Sequence, residues 1–235
     1  MAGASNIKLF CIPFAGGNSY AYRNWAQHIS DDVEVVPIEL PGRGRRAREP
    51  LLLSVDALVE DTLLQLGPQI EQPYALYGHS MGACLAYLLA HAVVDANLPE
   101  PIHLFCTGRN APSVPGKNLG RHLLSREELV RQLREMGGCP DAILNDRDLM
   151  DYFLPTFRAD FQAHDSYEYE SRRPLGIELT VMLGEKDPET DRKSAVEWQH
   201  ETKYPLDLVE YPGGHFFIDE YFPDVACHIS QKLKK

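Results

Sequence analysis

The sequence lacks a surplus of positive charge and lacks long apolar runs, and each absence excludes a class of protein. Its 235 residues carry 23 Lys and Arg against 34 Asp and Glu, which gives a formal net charge of −11 at pH 7. An acidic surface of this kind repels phosphate groups, so we expect no nucleic-acid partner. No apolar run approaches the ~20 residues that a membrane helix needs, so we expect no membrane association.

Cysteine is also scarce, and its spacing is irregular. The five cysteines form no C-x-x-C pair. This pattern argues against a disulfide framework and against a zinc site, and it suits a reducing compartment. The N-terminus lacks the basic start of a secretory signal, and the apolar run after it is short and contains Pro13. We therefore expect a cytoplasmic protein without a metal centre.

What the sequence does contain is an alternation of strand-like and helix-like segments. Apolar residues make up 44% of the chain, enough for one sizeable core. Strands are predicted at 7–12, 33–40, 74–77, 102–106, 177–183 and 206–211. Helices are predicted at 20–29, 55–70, 81–94, 195–202 and 224–233. The alternation predicts an α/β fold with a mainly parallel central sheet and helices on both faces.

Residues 110–172 interrupt this alternation, because two helical patterns follow each other without a strand. The first covers 126–136, and the second covers 148–161 with a heavy aromatic stripe. Pro155 lies inside the second pattern and should kink or split it. One interpretation is a helical subdomain with its own small core, and the other is a lid over a binding site. We expect one domain over 1–235 that carries this helical insertion.

The segment Gly-His-Ser-Met-Gly at 78–82 matches the pattern G-x-S-x-G. A predicted strand precedes it and an apolar helix follows it, as in the sharp turn that exposes a nucleophilic serine. The free N–H groups at the start of that helix favour a developing negative charge. An ordinary glycine-bounded turn is the alternative. The pattern predicts Ser80 as a nucleophile.

A serine nucleophile needs a base, and the base needs an acid that orients it. His215 follows a predicted strand and lies in a glycine-rich loop, although a structural loop histidine is the alternative. Asp187 follows another strand end and precedes a proline. Glu185 and Asp191 are rivals, and an aspartate that only forms the turn is a further possibility. The order Ser80, Asp187, His215 is the one expected of α/β-hydrolases.

The first strand runs into a glycine-rich segment at 13–18. Consecutive glycines allow a backbone N–H group to approach a ligand closely. We predict that the N–H groups of Ala15 and Met81 together bind an oxyanion, with a simple turn before a helix as the alternative. The G-x-G-x-x-G pattern of dinucleotide-binding folds is absent here.

With these residues assembled, the whole chain resembles the type II thioesterases that accompany nonribosomal peptide and polyketide synthetases. The matching segments occur in the family's order at 9–17, 39–44, 77–83, 184–188 and 213–217. Gly-His-Ser-Met-Gly recurs across hydrolases. The Pro-Phe-Ala-Gly-Gly opening and the Pro-Gly-Arg-Gly loop narrow the choice to this family. The length suits a free-standing member rather than a cyclising domain cut from a synthetase.

The resemblance implies an α/β-hydrolase fold and a reaction. The substrate would be an acyl thioester on the phosphopantetheine arm of an acyl or peptidyl carrier domain. The role would be to clear aberrant acyl groups that stall the synthetase. The implied scheme uses Ser80, His215 and Asp187, with no cofactor on the enzyme, and we expect a monomer.

The resemblance also implies how specificity arises. The lid at 110–172 would shape the acyl pocket, and the candidate wall residues are Phe153, Phe157 and Phe161. Packing within the lid itself is the alternative for these rings.

Docking of the carrier domain needs a local basic patch, because carrier domains are typically acidic and so is this chain. The candidates are Arg43, Arg45 and Arg46, beside the active-site end, and a solvated loop is the alternative.

Two other functions stay open at this stage. A general carboxylesterase or lipase would share the same three residues, although the lipase-type His-Gly-Gly-Gly segment is absent. A non-catalytic binding protein on the same fold is the second alternative, since fold alone does not define function.

Overall fold

Six parallel strands organise the chain around one sheet. The structure is a computed structural model that describes residues 7–70, 73–117 and 120–234. The strands are β1 (Ile7–Ile12), β2 (Val33–Pro37), β3 (Tyr74–His79), β4 (His103–Thr107), β5 (Glu178–Gly184) and β6 (Asp207–Tyr211). Their order across the sheet is β2-β1-β3-β4-β5-β6, and every neighbouring pair is parallel. The predicted α/β class is therefore confirmed.

Helices cover the sheet and fill the connections between strands. In the described ranges the α-helices are α1 (Val55–Leu66), α2 (Met81–Asp95), α3 (Arg126–Met136), α4 (Asp141–Leu144), α5 (Arg147–Asp165), α6 (Arg192–Ala195), α7 (Phe217–Glu220) and α8 (Phe222–Leu233). Ser54 caps α1 by accepting a hydrogen bond from the Ala57 N–H group. None of the helices in these ranges is long and apolar enough to cross a bilayer.

The core lies on both faces of the sheet, because successive side chains of a strand point to opposite faces. In β3, Tyr74 and Leu76 pack in one apolar cluster together with residues of α1 and α2. Ala75 and Tyr77 pack in a second cluster together with residues of α8. This two-sided burial explains why the predicted strands read as continuous apolar runs rather than alternating ones.

The segment 20–29 is not the single helix that its apolar spacing predicts. It forms two short 3₁₀ turns, Ser19–Tyr22 and Trp25–Gln27. The rings of Tyr22 and Trp25 both pack on Tyr77, with centroids 5.8 and 4.5 Å from it. A spacing of three residues per turn places both rings on one side, so tertiary packing overrides the α-helical pattern here.

Three helices, α3 to α5, lie between β4 and β5, and the described parts of 108–177 add no strand to the sheet. Helix α3 begins and ends where the sequence predicts, because Ser125 and Glu128 form a capping box at its start. Of the two predicted effects of Pro155, a kink or a split, the split is wrong, since α5 continues through it. Buried apolar residues on both sides of the proline, Met150 and Phe157, belong to one cluster and hold the two halves together.

The lid helices bury an apolar cluster of their own. Its buried members are Leu129, Leu133, Leu144, Met150, Phe157 and Phe161. Ala15, from the loop after β1, packs against the same cluster. The insertion is thus both a small core and a cover over the carboxyl end of the sheet. In open parallel sheets that end is where ligands bind, at the point where strand order reverses, here between β1 and β3.

Candidate active site

Ser80 lies in a strained turn between β3 and α2. Its backbone has φ +55° and ψ −117°, a conformation that residues other than glycine rarely adopt. A Cβ atom on Gly78 would lie 2.0 Å from the Gly82 carbonyl oxygen, and one on Gly82 would lie 2.4 Å from the Ile12 carbonyl oxygen. Only glycines fit at both positions. The Ser80 N–H group donates to the Thr107 carbonyl at 2.8 Å, which ties the turn to β4.

The structure brings Ser80, His215 and Asp187 into one hydrogen-bonded chain. The His215 Nε2 atom lies 3.0 Å from the Ser80 Oγ atom, and His215 Nδ1 lies 2.8 Å from Asp187 Oδ2. The side chains of His215 and Asp187 are 2% and 0% exposed. A buried acid that holds an imidazole against a serine hydroxyl is the arrangement that activates serine as a nucleophile.

The surroundings of Asp187 keep its carboxyl group ionised. Burial alone would raise the pKa of this carboxyl, but the hydrogen bond with His215 and the nearby imidazole bring the pKa below its ordinary value. The Glu189 N–H group and the Thr190 hydroxyl each donate to the carboxylate at 2.8 Å and act in the same direction. The carboxylate can therefore orient the His215 ring and stabilise its protonated form.

The two rival acids serve other purposes. Asp191 caps α6 by accepting a hydrogen bond from the Ser194 N–H group. Glu185 is exposed on the loop after β5. All three acids follow the same strand, so their position in the sequence does not distinguish them. Only the packing of the loop shows that Asp187 is the acid that faces His215.

Two loops must approach each other to place the acid beside the base. The Lys186 N–H group donates to the Gly213 carbonyl at 2.8 Å. A Cβ atom on Gly184 would lie 2.3 Å from the Gly214 carbonyl oxygen, so glycine permits this close contact. Glycines on β5 and on the histidine loop therefore set the distance between Asp187 and His215.

The predicted oxyanion donors lie on the two segments that meet at Ser80. Met81 is the first residue of α2, where an N–H group has no partner within the helix. Gly16 donates its N–H group to Asp160 at 2.7 Å, and Gly17 donates to the Phe14 carbonyl at 2.8 Å. Within the described residues no protein acceptor is assigned to the N–H groups of Ala15 and Met81. Their role in binding an oxyanion stays a prediction.

Ser80 faces an apolar cavity of about 520 Å³ beneath the lid. The wall includes the three phenylalanines named from the sequence, Phe153, Phe157 and Phe161. Leu133, Met136 and Ile143 of the lid complete this side. The aromatic stripe of α5 therefore lines a site that contains Ser80, while Phe157 and Phe161 also pack within the lid core.

A second cavity, of about 420 Å³, also contains Ser80 and His215, and more of the residues that line it carry charged or polar side chains. Arg109, Lys117 and His164 line it. Arg109 donates to His164, whose pKa is lowered to about 4 by burial and by the nearby Arg109 charge. Sequence reasoning missed these residues, because they belong to no motif. The only available signal was the position of Arg109 just after the end of β4.

His79, the neighbour of the serine, is part of the packing around the base. Its ring is fully buried, with its centroid 5.0 Å from that of His215, and its Nδ1 atom lies 3.0 Å from the Thr107 hydroxyl oxygen. Burial and the nearby His215 hold its pKa well below the usual value. His79 is therefore a neutral neighbour rather than a second base.

The structure overturns one of the predicted docking residues. Arg43 is 6% exposed, and its guanidinium forms an ion pair with Asp160 at 2.5 Å. A buried, paired guanidinium cannot meet a carrier domain, so the prediction for Arg43 is wrong.

The other two docking candidates differ from each other. Arg46 is engaged by the carboxylates of Glu49 and Asp61 at 2.5 and 2.7 Å, which neutralise its charge. Arg45 is exposed to solvent. Only Arg45 retains the properties that the docking prediction requires.

Comparison with known proteins identifies the family to which the chain belongs. The family described as "Thioesterase domain" matches residues 7–233. The gramicidin S biosynthesis protein GrsT of Aneurinibacillus migulanus is 36% identical over 217 residues, which cover 92% of this chain and 85% of that protein. The chain therefore belongs to the thioesterase family.

Solved structures agree in detail with this fold. The RedJ thioesterase from the prodiginine pathway of Streptomyces coelicolor is 34% identical, with a TM-score of 0.91 over 98% of this chain and 91% of that chain. The type II thioesterase BorB from the borrelidin biosynthetic cluster is 32% identical, with a TM-score of 0.89 over 98% and 94%. These findings confirm the resemblance to type II thioesterases and the expectation of a thioester-hydrolysing enzyme on an α/β-hydrolase fold.

Proposed function

We propose that the protein is an editing thioesterase, which removes acyl groups from the phosphopantetheine arms of carrier domains in a nonribosomal peptide or polyketide synthetase. The relatives named above support the pathway class. The observation that carries the proposal is the chain of hydrogen bonds from Ser80 through His215 to Asp187, at a serine that lines two cavities.

The first half of the reaction acylates Ser80. As its Oγ atom attacks the thioester carbonyl, His215 Nε2 accepts the hydroxyl proton, and Asp187 stabilises the resulting imidazolium. The carbonyl oxygen becomes an oxyanion, which we assign to the N–H groups of Ala15 and Met81. Loss of one such donor typically costs ~10²–10³-fold in rate, so this assignment carries a large share of the catalysis.

Collapse of the tetrahedral intermediate completes the first half, and hydrolysis is the second. The collapse breaks the carbon–sulfur bond, and His215 returns its proton to the sulfur. A thiol has a pKa near ~8.5 and is therefore a far better leaving group than an alcohol. Water then attacks the acyl-enzyme while His215 accepts its proton, and the free acid leaves as Ser80 is regenerated.

The two cavities suit the two parts of the substrate. The apolar cavity beneath Phe153 and Phe161 matches the acyl chain, whose burial is favourable at roughly 25 cal/mol per Å². In the second cavity the charged side chains of Arg109 and Lys117 can meet the amides and hydroxyl of the pantetheine arm. With this assignment the thioester carbon lies at Ser80, where the cavities meet.

Mass spectrometry of acyl-loaded carrier domains tests the proposal. We expect the protein to convert acyl-carrier to free carrier, and Ser80→Ala to leave it loaded. A parallel assay with a simple oxygen ester separates the proposed activity from a general carboxylesterase. Faster turnover of the oxygen ester than of the carrier thioester, at equal acyl group, would overturn the proposal.

Labelling with a fluorophosphonate separates an enzyme from a non-catalytic binding protein. We expect Ser80 to react and the Ser80→Ala variant to stay unlabelled. A serine that does not react in the folded wild-type protein would favour the binding protein.

A further inference from the structure

A buried carboxylate on the lid holds the loop that follows β1. The Asp160 side chain, on α5, has 0% exposure, and its Oδ2 atom accepts a hydrogen bond from the Gly16 N–H group at 2.7 Å. Arg43 binds both oxygens of the same carboxylate, at 2.5 and 2.7 Å. Three segments that are far apart in the sequence therefore meet at one carboxylate.

The same ion pair also holds the next peptide of the loop. Arg43 donates to the Gly17 carbonyl at 3.2 Å, while Asp160 accepts from the Gly16 N–H group. The Phe157 ring closes the remaining space, since a Cβ atom on Gly16 would lie 2.0 Å from its Cε1 atom. Gly16 also has φ +76°, which favours glycine. Gly16, the residue after Ala15, is therefore held by contacts on several sides.

An oxyanion donor contributes to catalysis only if it is held in place before the reaction. A misplacement of ~1 Å from a change outside the reacting atoms can cost on the order of 10²-fold in rate. We propose that the Arg43–Asp160 pair is a positioning pair, which fixes the Ala15 N–H group for the oxyanion through the neighbouring peptide. The inference rests on the proposed function, because it assumes that Ala15 is an oxyanion donor.

The ion pair between Arg43 and Asp160 also removes an unfavourable charge from the neighbourhood of the oxyanion. A lone carboxylate beside the oxyanion loop would oppose the negative charge that develops there, and it would be costly to bury. The bidentate guanidinium cancels that charge without removing the acceptor for Gly16.

The test uses paired double variants, because removal of one member of a buried ion pair leaves an unpaired charge that can unfold the protein. Arg43→Met with Asp160→Leu removes both charges and the acceptor for the Gly16 N–H group. Arg43→Met with Asp160→Asn removes the same charges but keeps an acceptor oxygen. We expect the Leu pair to lose ~10²-fold in kcat on a small acyl thioester with KM changed little, and the Asn pair to recover most of this loss.

Affinity for a trifluoromethyl ketone analogue of the acyl thioester gives a second readout. Its adduct with Ser80 carries an oxyanion, whereas the matching methyl thioether does not. We expect the Leu pair to weaken binding of the ketone in proportion to kcat and to leave binding of the thioether unchanged.

The Arg121–Asp165 pair supplies the matched control. It lies at the end of the same helix, is similarly buried at 2.6 Å, and is not bonded to the loop after β1. Both residues line the second cavity, so their replacement should affect the binding of the two analogues equally. Arg121→Met with Asp165→Leu should lower thermal stability but keep the ratio of the two affinities.

Equal kcat and equal ketone affinity in the Leu and Asn pairs would overturn the positioning role. If the Leu pair does not fold, Arg43→Lys with Asp160 intact provides the comparison, and unchanged ketone affinity there would overturn it as well. Neither test involves a carrier domain. A wild-type protein that binds the ketone but leaves carriers loaded would refute the proposed function alone.

Discussion

The carboxyl edge of the sheet and the lid contribute to the site in different ways. At the edge, Ser80, Asp187 and His215 each follow a strand, and hydrogen bonds of 2.8 and 3.0 Å join them. The lid supplies apolar walls and has its own apolar cluster. The edge supplies the three hydrogen-bonded residues, whereas the lid supplies cavity walls together with the Asp160 carboxylate that holds the loop after β1. We expect changes at the edge to affect mainly the chemical steps, and changes in the cavity wall to affect mainly selectivity.

The largest effect should come from the edge. Ser80→Ala and His215→Ala should each lower kcat by roughly 10⁴-fold or more, because nucleophile and base act as a unit. Circular dichroism and thermal unfolding should show folded variants. Turnover near the wild-type rate in either variant, measured on an acyl thioester, would contradict the assignment of the triad.

The next largest effect should come from the contact between the loop after β1 and the lid. Gly16→Ala places a methyl group against the Phe157 ring, so we expect a kcat loss on the order of 10²-fold from displacement of the loop. Gly120→Ala is the control, since Gly120 has φ +79°, close to the +76° of Gly16, but no neighbour within 4 Å. Both should lose ~1–2 kcal/mol of stability from the left-handed backbone. Equal kcat values for the two variants would refute the role of the contact.

A change in the lid alone should alter selectivity. Phe153→Ala enlarges the apolar cavity without touching the hydrogen-bonded triad. We expect kcat/KM to shift toward longer acyl chains, by about fourfold for each additional methylene that the cavity can bury. A chain-length series of acyl thioesters measures this. A uniform loss across the series would show that the ring acts through the fold and not through the cavity.

The exposed charge of Arg45 should matter only for the macromolecular substrate. Arg45→Glu reverses an exposed charge, and pairs of exposed charges contribute ~0.2–1 kcal/mol, so we expect a loss of at most about fivefold in kcat/KM for acyl-carrier. Hydrolysis of a small thioester by the same variant should be unchanged. Equal effects on the two substrates would exclude docking through Arg45.

A last effect concerns stability rather than turnover, and it depends on pH through His164 of the lid. The pKa of His164 is lowered to about 4 by burial and by Arg109, and Arg121 acts in the same direction, while Asp165 opposes them. The pKa of Asp165 itself is about 2, because hydrogen bonds with His164 and Arg121 outweigh burial, so its carboxylate stays ionised throughout this range.

Since an unfolded histidine has a pKa near ~6.5, the unfolded state binds the extra proton first. The stability that a neutral His164 provides is complete above that pH and is lost as the pH falls to about 4. His164→Asn should therefore flatten the dependence of the unfolding free energy on pH in this window. His91, with a pKa also lowered to about 4 by burial, should preserve part of the slope. An unchanged slope in His164→Asn would contradict the assignment.

The edge could be predicted from the sequence because its signals are local. Ser80 lies between two glycines in a strand-to-helix turn, and His215 and Asp187 each follow a strand, so topology alone brings them to one side. Helix α3 could also be predicted from local signals, since its capping box and apolar spacing lie within a dozen residues.

The lid contacts could not be predicted in the same way. Arg43 was read as a surface charge because its partner Asp160 is 117 positions away, and nothing near either residue indicates the pair. The second cavity could not be predicted for the same reason, because Arg109 and His164 come together only when the lid folds over the sheet. Contacts between residues far apart in the sequence, rather than local propensity, determine the buried ion pair and the second cavity.

Intact mass spectrometry of the protein during hydrolysis of an acyl-carrier thioester tests the central claim most directly. The account predicts a transient adduct with the mass of the acyl group, located on the peptide that contains Ser80, while the carrier loses the same mass. Unloading of the carrier at the wild-type rate by the Ser80→Ala variant, or an adduct on a different residue, would contradict it.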